Sequence, residues 1–361
     1  MSSRDAKIER IVEAALRAPT PENSQPWTFT WDGEQLCISF DPARGQMAPL
    51  PHEDDAWFCL GTVQESISIA SSVENLEPRF LPARALRAGQ PMVRVTFQDE
   101  ERIDDPLHAV IWRRCTDRRE FRGGGMELPV FREIQALLPR YPEAGLYLNG
   151  AERAEDWAFL IQAENQSFEW PPFARAITRW FRLTEKEIRT TRDGLPYRSL
   201  GAGLLTSRLM LLQRRMGRLA GYLLGLVARF SNLAPFYDFR DVAALGCVTV
   251  TPRDARSLSQ AGRLLMRTWL LLHSHGLAFQ PLTNVAFLSY LLRERDTQIP
   301  DWLAQELLSA QAGLIDRFGV PAGQWPFFVF RTGIAPGGLP PDSRTLRREL
   351  HCSYRKLQGE A

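Results

Sequence analysis

The sequence predicts a mixed α+β protein, on two observations. Two long, largely apolar helical stretches occur, near residues 55–76 and 258–275. Short alternating strands accompany them without the regular strand-helix alternation of parallel-sheet folds.

The opening helix carries Ile8, Ile11, Val12, Ala15 and Leu16 at three- and four-residue steps, an amphipathic stripe that Pro19 ends. "WTFTWDGEQLCISF" then alternates apolar and polar residues on either side of Asp32-Gly33, a dipeptide suited to a tight turn, and predicts two antiparallel strands. From Asp55 to Leu76 a helix is expected that is apolar on most of its surface (Phe58, Leu60, Val63, Ile67, Ile69, Val73), so it should be buried on several sides. "MVRVTF", "LYL", "GCVTV" and "FFVFR" read as further strands. A second long helix, Leu258 to His275, places Leu258, Ala261, Leu264, Leu265, Trp269 and Leu272 at helical spacing before "SHGLAFQPLTN" breaks it. Each long helix leaves through a Gly or Pro turn toward a strand, which suggests two similar halves, 1–105 and 106–361. A helical insertion at about 165–235, rich in Trp, Pro and Gly, has no repeat partner. It reads either as a lid or binding loop, or as a surface excursion.

Length and charge narrow the function classes. At 361 residues the chain can form one large or two ordinary domains, and a formal charge of +2 gives no whole-protein field for nucleic acid or membrane. The five cysteines (Cys37, Cys59, Cys115, Cys247, Cys352) lack a C-x-x-C pair, so neither a disulfide framework nor a zinc site is expected. His273 and His275 stand two apart without suitably spaced carboxylates, so no metal is expected. The first ten residues are charged and lack an apolar signal core, which points to the cytoplasm. "LAGYLLGLVARF", Leu219 to Phe230, is shorter than the ~20 residues of a bilayer span, so no integral span is expected; the stretch suits a buried helix or one lying on a membrane surface. Nucleophile-elbow, P-loop and G-x-G-x-x-G patterns are missing.

Three segments carry recognisable chemistry. In "IWRRCTDRREFRGGG", Arg113, Arg114, Arg118, Arg119 and Arg122 surround Thr116, and Arg114, Thr116 and Arg118 at i, i+2 and i+4 can fork onto a phosphate; a solvated basic face accounts for them as well. Arg331, Ser343, Arg344, Arg347 and Arg348 form a second basic group near the C-terminus. "PTPENSQPW" offers Thr20, Asn23, Ser24 and Gln25 as neutral donors and acceptors with Trp27 as a flat wall, suited to a polar heteroaromatic ligand or simply to capping a turn. "FQPLTN", Phe279 to Asn284, is a second amide-and-turn element.

Together these segments resemble the nitroreductase superfamily of FMN proteins: "APTPENSQPW" is similar to its "APSSxNSQPW" segment, "RRCTDRREF" to its "RRSxRxF" segment, and "HGLAFQPLTN" to its "GLG…P" turn. Their order here, with "RDGLP" (Arg192 to Pro196) between, resembles the internally duplicated Acg-like branch, in which one chain imitates the family's dimer. The resemblance implies a nitroreductase-like α+β fold and a single FMN per chain. Arg114, Thr116 and Arg118 would hold its phosphate and ribityl end, completed by Ser343 and Arg344. Thr20, Pro21 and Asn23, with Ser24 and Gln25, would press on it from the other half. Leu282, Thr283 and Asn284, following Pro281, would bring backbone N–H groups toward N5. It implies no catalytic side chain, NAD(P)H as electron donor and a nitroaromatic, quinone or similar flat small molecule as acceptor. A flavin-sequestering protein whose lid blocks nicotinamide entry is the alternative, and a flavin-free membrane-surface scaffold built on Leu219 to Phe230 a third. The chain would be its own pseudo-dimer, with further oligomerisation left open.

Overall fold

The computed structural model describes residues 3–45, 53–83, 89–121, 126–150, 154–200, 242–251, 254–293, 299–338 and 346–357. Helix α1 (Ser3–Ala15) buries Ile8, Ile11, Val12 and Ala15, the stripe its sequence spells out. Strands β1 (Trp27–Trp31) and β2 (Gln35–Phe40) pair antiparallel through the Asp32-Gly33 turn. There Gly33 adopts φ +105°, open to glycine, and Asp32 Oδ1 accepts the N–H groups of Glu34 and Gln35 at 2.9 and 2.7 Å.

After the short α2 (Pro42–Gly45) comes α3 (Glu53–Ser72), then β3 (Leu76–Pro82) and β4 (Val93–Asp99). The expected 55–76 helix therefore stops four residues early. Asn75 turns left-handed at φ +55° and Leu76 starts a strand that the sequence hid behind Pro78 and Pro82; both prolines are tolerated because β3 is the edge strand of its sheet. The second half opens with α4 (His108–Ile111) and α5 (Leu128–Gln135), followed by β5 (Ala144–Gly150). Helix α6 (Ala158–Gln166) leads into the insertion, whose described part holds α7 (Pro171–Thr178), α8 (Glu185–Thr191) and a two-stranded parallel pair, β6 (Phe181–Arg182) with β7 (Leu195–Pro196). Then follow β8 (Ala244–Val250), α9 (Ala255–Ser274), β9 (Ala278–Pro281), α10 (Asn284–Arg293), α11 (Asp301–Phe318), β10 (Trp325–Gly333), α12 (Leu350–Ser353) and β11 (Tyr354–Lys356). The Leu219 to Phe230 stretch lies outside the described residues, and among those described no helix is long and apolar enough to cross a membrane.

The architecture is α+β, with two antiparallel-rich sheets ordered β11-β1-β2-β4-β3 and β5-β8-β10-β9. Without β11, both sheets have the same plan: two strands, a long central helix, two more strands, in spatial order first, second, fourth, third, every neighbour antiparallel. A three-residue turn joins β1 to β2, whereas the insertion separates their counterparts β5 and β8. β11 adds parallel to β1, so the C-terminal end of the chain completes the first sheet. One contiguous apolar core, from Trp31 and Ile38 to Trp269, Phe279 and Phe330, runs through both halves.

The two long helices touch at glycine. A Cβ on Gly61 would lie 2.1 Å from Ser259 O, and one on Gly262 would lie 1.9 Å from Phe58 O. Ser259 and Gly262 stand 201 positions after Phe58 and Gly61, so each contact is the other's image. A reciprocal pair of this kind marks a two-fold relation between the helices.

Candidate functional site

The "PENSQPW" loop leaves α1 with Glu22, Asn23 and Gln25 in the left-handed region, at φ +46°, +53° and +50°. Such backbone is unfavourable for residues with a Cβ and persists where surroundings hold it. Its surroundings are the insertion and the C-terminal stretch. Asn23 Nδ2 donates to Gly194 O (3.2 Å) and Leu346 O (3.0 Å), and Asn23 Oδ1 accepts from Arg347 (2.7 Å). Gln25 Nε2 donates to Arg192 O (2.9 Å), and Gln25 Oε1 accepts from the N–H of Arg348 (2.7 Å). The "RDGLP" segment is thus the loop's clasp, braced in turn by Asp193, which binds Arg44 at 2.5 Å and Arg182 at 2.6 Å.

The arginine segment divides by role. Arg114, 5% exposed, donates to Arg17 O at 3.0 and 3.2 Å and lies 4.6 Å over the Trp269 ring. Arg118 donates to Ser199 O at 3.0 Å. Arg119 instead grips the buried Asp117 carboxylate, at 2.7 Å, and the carbonyls of Pro336 and Gly338. Arg331, which the sequence places in the second basic group, is buried in β10, donating to Gln280 Oε1 at 2.6 Å and stacked 4.1 Å over Phe121. Its position inside a sheet makes it part of the core.

A cavity of about 190 Å³ gathers most of the expected site. Thr20, Pro21, Asn23, Arg114, Thr116, Arg118, Pro281, Thr283 and Asn284 all line it. Asp55, Phe58, Cys59 and Thr62 of α3 and Leu265 and Trp269 of α9 add to its walls, together with Phe168, Phe173, Ile177, Phe181, Leu195 and Leu200 of the insertion. Ser343 and Arg344 lie outside the described residues.

Four expectations are corrected. Ser24 is fully buried and does not line the cavity, and Gln25 spends its amide on the clasp. Leu282 is 1% exposed, and its N–H donates to Val329 O at 2.8 Å, extending the β9–β10 ladder instead of facing a ligand. The N–H of Asn284 is also taken: it and the N–H of Val285 donate to the buried carboxylate of Glu164 at 3.2 and 2.9 Å. Burial pushes Glu164 up to about 8, and these two donors pull against it.

The sequence reading missed Glu22 and Asp55 as cavity residues, whereas Arg347, of the second basic group, does line the cavity. Glu22 stands inside the quoted loop motif. Asp55 precedes Phe58 and Thr62 by three and seven positions, the spacing of one helix face, and that signal was readable. Burial pushes Glu22 up to about 7 while Arg118 and Arg179 pull it down. Asp55 is held well above the usual carboxylate range by burial, with Asp54 and Glu22 adding to it.

No family model matches the chain, and no curated protein does. Several solved structures are similar to this chain. A nitroreductase with bound FMN from Desulfitobacterium hafniense shares 14% identity over 66% of this chain and 94% of its own, with a TM-score of 0.37. The FMN- and NADPH-dependent nitroreductase NfnB from Sphigopyxis sp. shares 15% over 71% and 100%, with a TM-score of 0.38. The FMN-dependent nitroreductase NfnB from Mycobacterium smegmatis, in complex with NADPH, shares 15% over 69% and 96%, with a TM-score of 0.37.

Proposed function

We propose that this chain is an FMN-dependent, nitroreductase-like oxidoreductase of the duplicated Acg-like kind, working in the cytoplasm. It passes electrons from NAD(P)H to a flat acceptor such as a nitroaromatic or quinone. The observation that carries the reading is one cavity lined jointly by the "PENSQ" loop of the first half and the "RRCTDR" segment of the second. The shared strand order and the reciprocal glycine contact support a duplication with halves at 1–105 and 106–361.

The donor set suits the cofactor. Three guanidiniums, of Arg114, Arg118 and Arg347, and the Thr116 hydroxyl match a phosphate, while Phe58, Trp269, Phe327 and Phe328 offer aromatic walls to a planar ring. When bound, FMN supplies the redox chemistry. The chain's own residues bind and orient it: Arg114 and Arg118 favour the anionic end, Thr20 and Pro21 press from the loop, Thr283 and Asn284 border it from the α10 end, and the insertion's aromatic residues exclude water.

Replacing Arg114 and Arg118 together with alanine should weaken FMN binding by about 3 kcal/mol, roughly a hundred-fold, since each charge-assisted contact contributes about 1.5 kcal/mol or more. Flavin content after purification and dialysis measures this, and unchanged content overturns the assignment. The six insertion residues on the cavity favour a second reading, a flavin-sequestering protein. Anaerobic addition of NADPH separates the two: bleaching of the flavin absorbance supports the oxidoreductase, and bleaching by dithionite alone supports sequestration.

A further inference from the structure

Among the groups on the cavity wall, two have no part in gripping a phosphate: the carboxyls of Glu22 and Asp55. They come from two elements of the first half, one from the loop after α1 and one from the first turn of α3, close enough for Glu22 to act on Asp55, and each is only partly exposed. Glu22 Oε2 is completely buried, with no hydrogen-bond partner among the described residues. A charged carboxylate placed this way loses its hydration without compensation, and two carboxyls sharing a poorly solvated space favour protonated forms.

We propose that the Glu22 carboxyl, set beside that of Asp55 in the cavity wall, donates the proton that a flat carbonyl acceptor takes up as it is reduced. The proposal rests on the oxidoreductase reading and names a residue and an acceptor class for it. For a quinone the balance is complete. NAD(P)H gives up two electrons and one hydrogen as hydride and becomes NAD(P)+. The hydride hydrogen, with its electron pair, ends as one O–H bond on the quinone; the Glu22 O–H bond breaks and its proton forms the second O–H bond, on the other oxygen, so the quinone becomes a hydroquinone. Glu22 is left as a carboxylate and recovers its proton from water.

The neighbouring groups leave Glu22 as the exchanging acid. Asp55 and Cys59 face it from α3, with Asp54 beside Asp55, Arg118 and Arg179 from the second half and the insertion, and Arg114 and Arg347 line the same cavity. Burial raises both Asp55 and the Cys59 thiol well above their ordinary values, with Glu22 adding to each. The guanidiniums do not release theirs. Glu22, pushed up to about 7, gains and loses a proton near neutral pH, where a general acid works best.

Two measurements test this. Infrared difference spectra of the flavin-free protein, recorded from about pH 5 to 9, should show a protonated-carboxyl band that disappears as pH rises through about 7 and is missing in Glu22→Gln. With FMN loaded and a naphthoquinone as acceptor, kcat should fall as pH rises through the same region. Glu22→Gln should lower kcat at least a hundred-fold, flatten its pH profile and remove the solvent deuterium effect, with FMN content and near-UV circular dichroism unchanged. A Glu22→Gln protein that keeps both kcat and the pH profile overturns the proposal. So does an infrared titration in which Glu22 is already ionised at about pH 6. The infrared arm needs neither flavin nor turnover, so a chain that binds no FMN defeats the oxidoreductase reading separately.

Discussion

The paired helices α3 and α9 present two faces related by their two-fold contact, and the faces have opposite fates. On one, Asp55, Phe58, Cys59 and Thr62 of α3 and Leu265 and Trp269 of α9 border the cavity. Shifting each by the 201 positions of the glycine contact gives Arg256, Ser259, Gln260 and Arg263 of α9 and Gln64 and Ser68 of α3. Every one of these six engages a polar partner. Arg256 binds Glu143 at 3.1 Å and Gln260 binds it at 3.3 Å; Ser259 donates to Gln64; Arg263 binds Glu65 at 2.8 Å and Ser68 at 3.2 Å. Arg267 closes the network on Glu65 at 2.5 Å and Asp105 at 2.8 Å. The same backbone scaffold thus opens a cavity where its side chains are mostly apolar and fills the equivalent face where they are long and polar. The helix pair makes both faces available, and side-chain choice decides which one admits a ligand.

Breaking the filled face should have the largest effect. Glu65 is 1% exposed, and its removal takes a buried carboxylate partner from both Arg263 and Arg267, so Glu65→Ala should destabilise by about 3–5 kcal/mol in denaturant unfolding. The same pair sets an acid limit. Burial alone would raise the Glu65 carboxyl, but Arg263 and Arg267 outweigh it and hold it below the ordinary range. A carboxyl depressed in the fold stabilises above its unfolded value of about 4.3 and loses that contribution as pH falls through the folded one. Stability should therefore drop below about pH 4, with a shallower slope in Glu65→Gln; identical slopes would remove Glu65 from the account.

The two-fold relation itself is sharpened by its glycines. Alanine at Gly61 or Gly262 pushes a Cβ into a backbone carbonyl of the partner helix, which no side-chain movement relieves. Each substitution should cost about 3 kcal/mol, at the upper end for overpacking. Because the contacts are images, the two losses should agree closely. A large loss at one position and none at the other would show that the pairing is not reciprocal in energy.

How much of this was legible depended on whether the cause was local. The α1 stripe, the Asp32-Gly33 hairpin, both long helices and four strands follow from periodicity and turn chemistry, and each appears where expected within a few residues. Strand β3 was not legible, because Pro78 and Pro82 argue against a strand unless its edge position is known. β11 is three residues whose pairing partner lies more than 300 positions away, so no pattern within the segment announces it. Of the residues expected at the site from their chemistry, Thr20, Arg114, Thr116, Arg118 and Thr283 line the cavity. Gln25 and Leu282 were misassigned because a free amide and a free N–H look the same in sequence as ones already engaged by Arg192, Arg348 and Val329. The filled face was invisible for the same reason: Arg263 and Glu65 are 198 positions apart.

The smallest effect probes why only one face is covered. The cavity's cover enters between β5 and β8, where the first half has a tight hairpin turn, so among the described residues the filled face receives no equivalent segment from that connection. That cover depends on α8, whose Thr184 Oγ1 accepts the N–H of Glu187 at 3.2 Å while the Glu187 carboxylate accepts those of Leu183 and Thr184 at 2.8 and 3.2 Å. Thr184→Ala should cost about 1 kcal/mol, little of it in the global unfolding midpoint, because α8 packs in a small satellite cluster with Phe181 and Tyr197. Hydrogen exchange should quicken at 185–191 and at the Gly194 amide that binds Asn23 O, while the Arg263–Glu65 side keeps its protection. Equal loosening on both faces would mean that the insertion stabilises the whole helix pair, and that cover and cavity are not the local unit which the difference between the two faces implies.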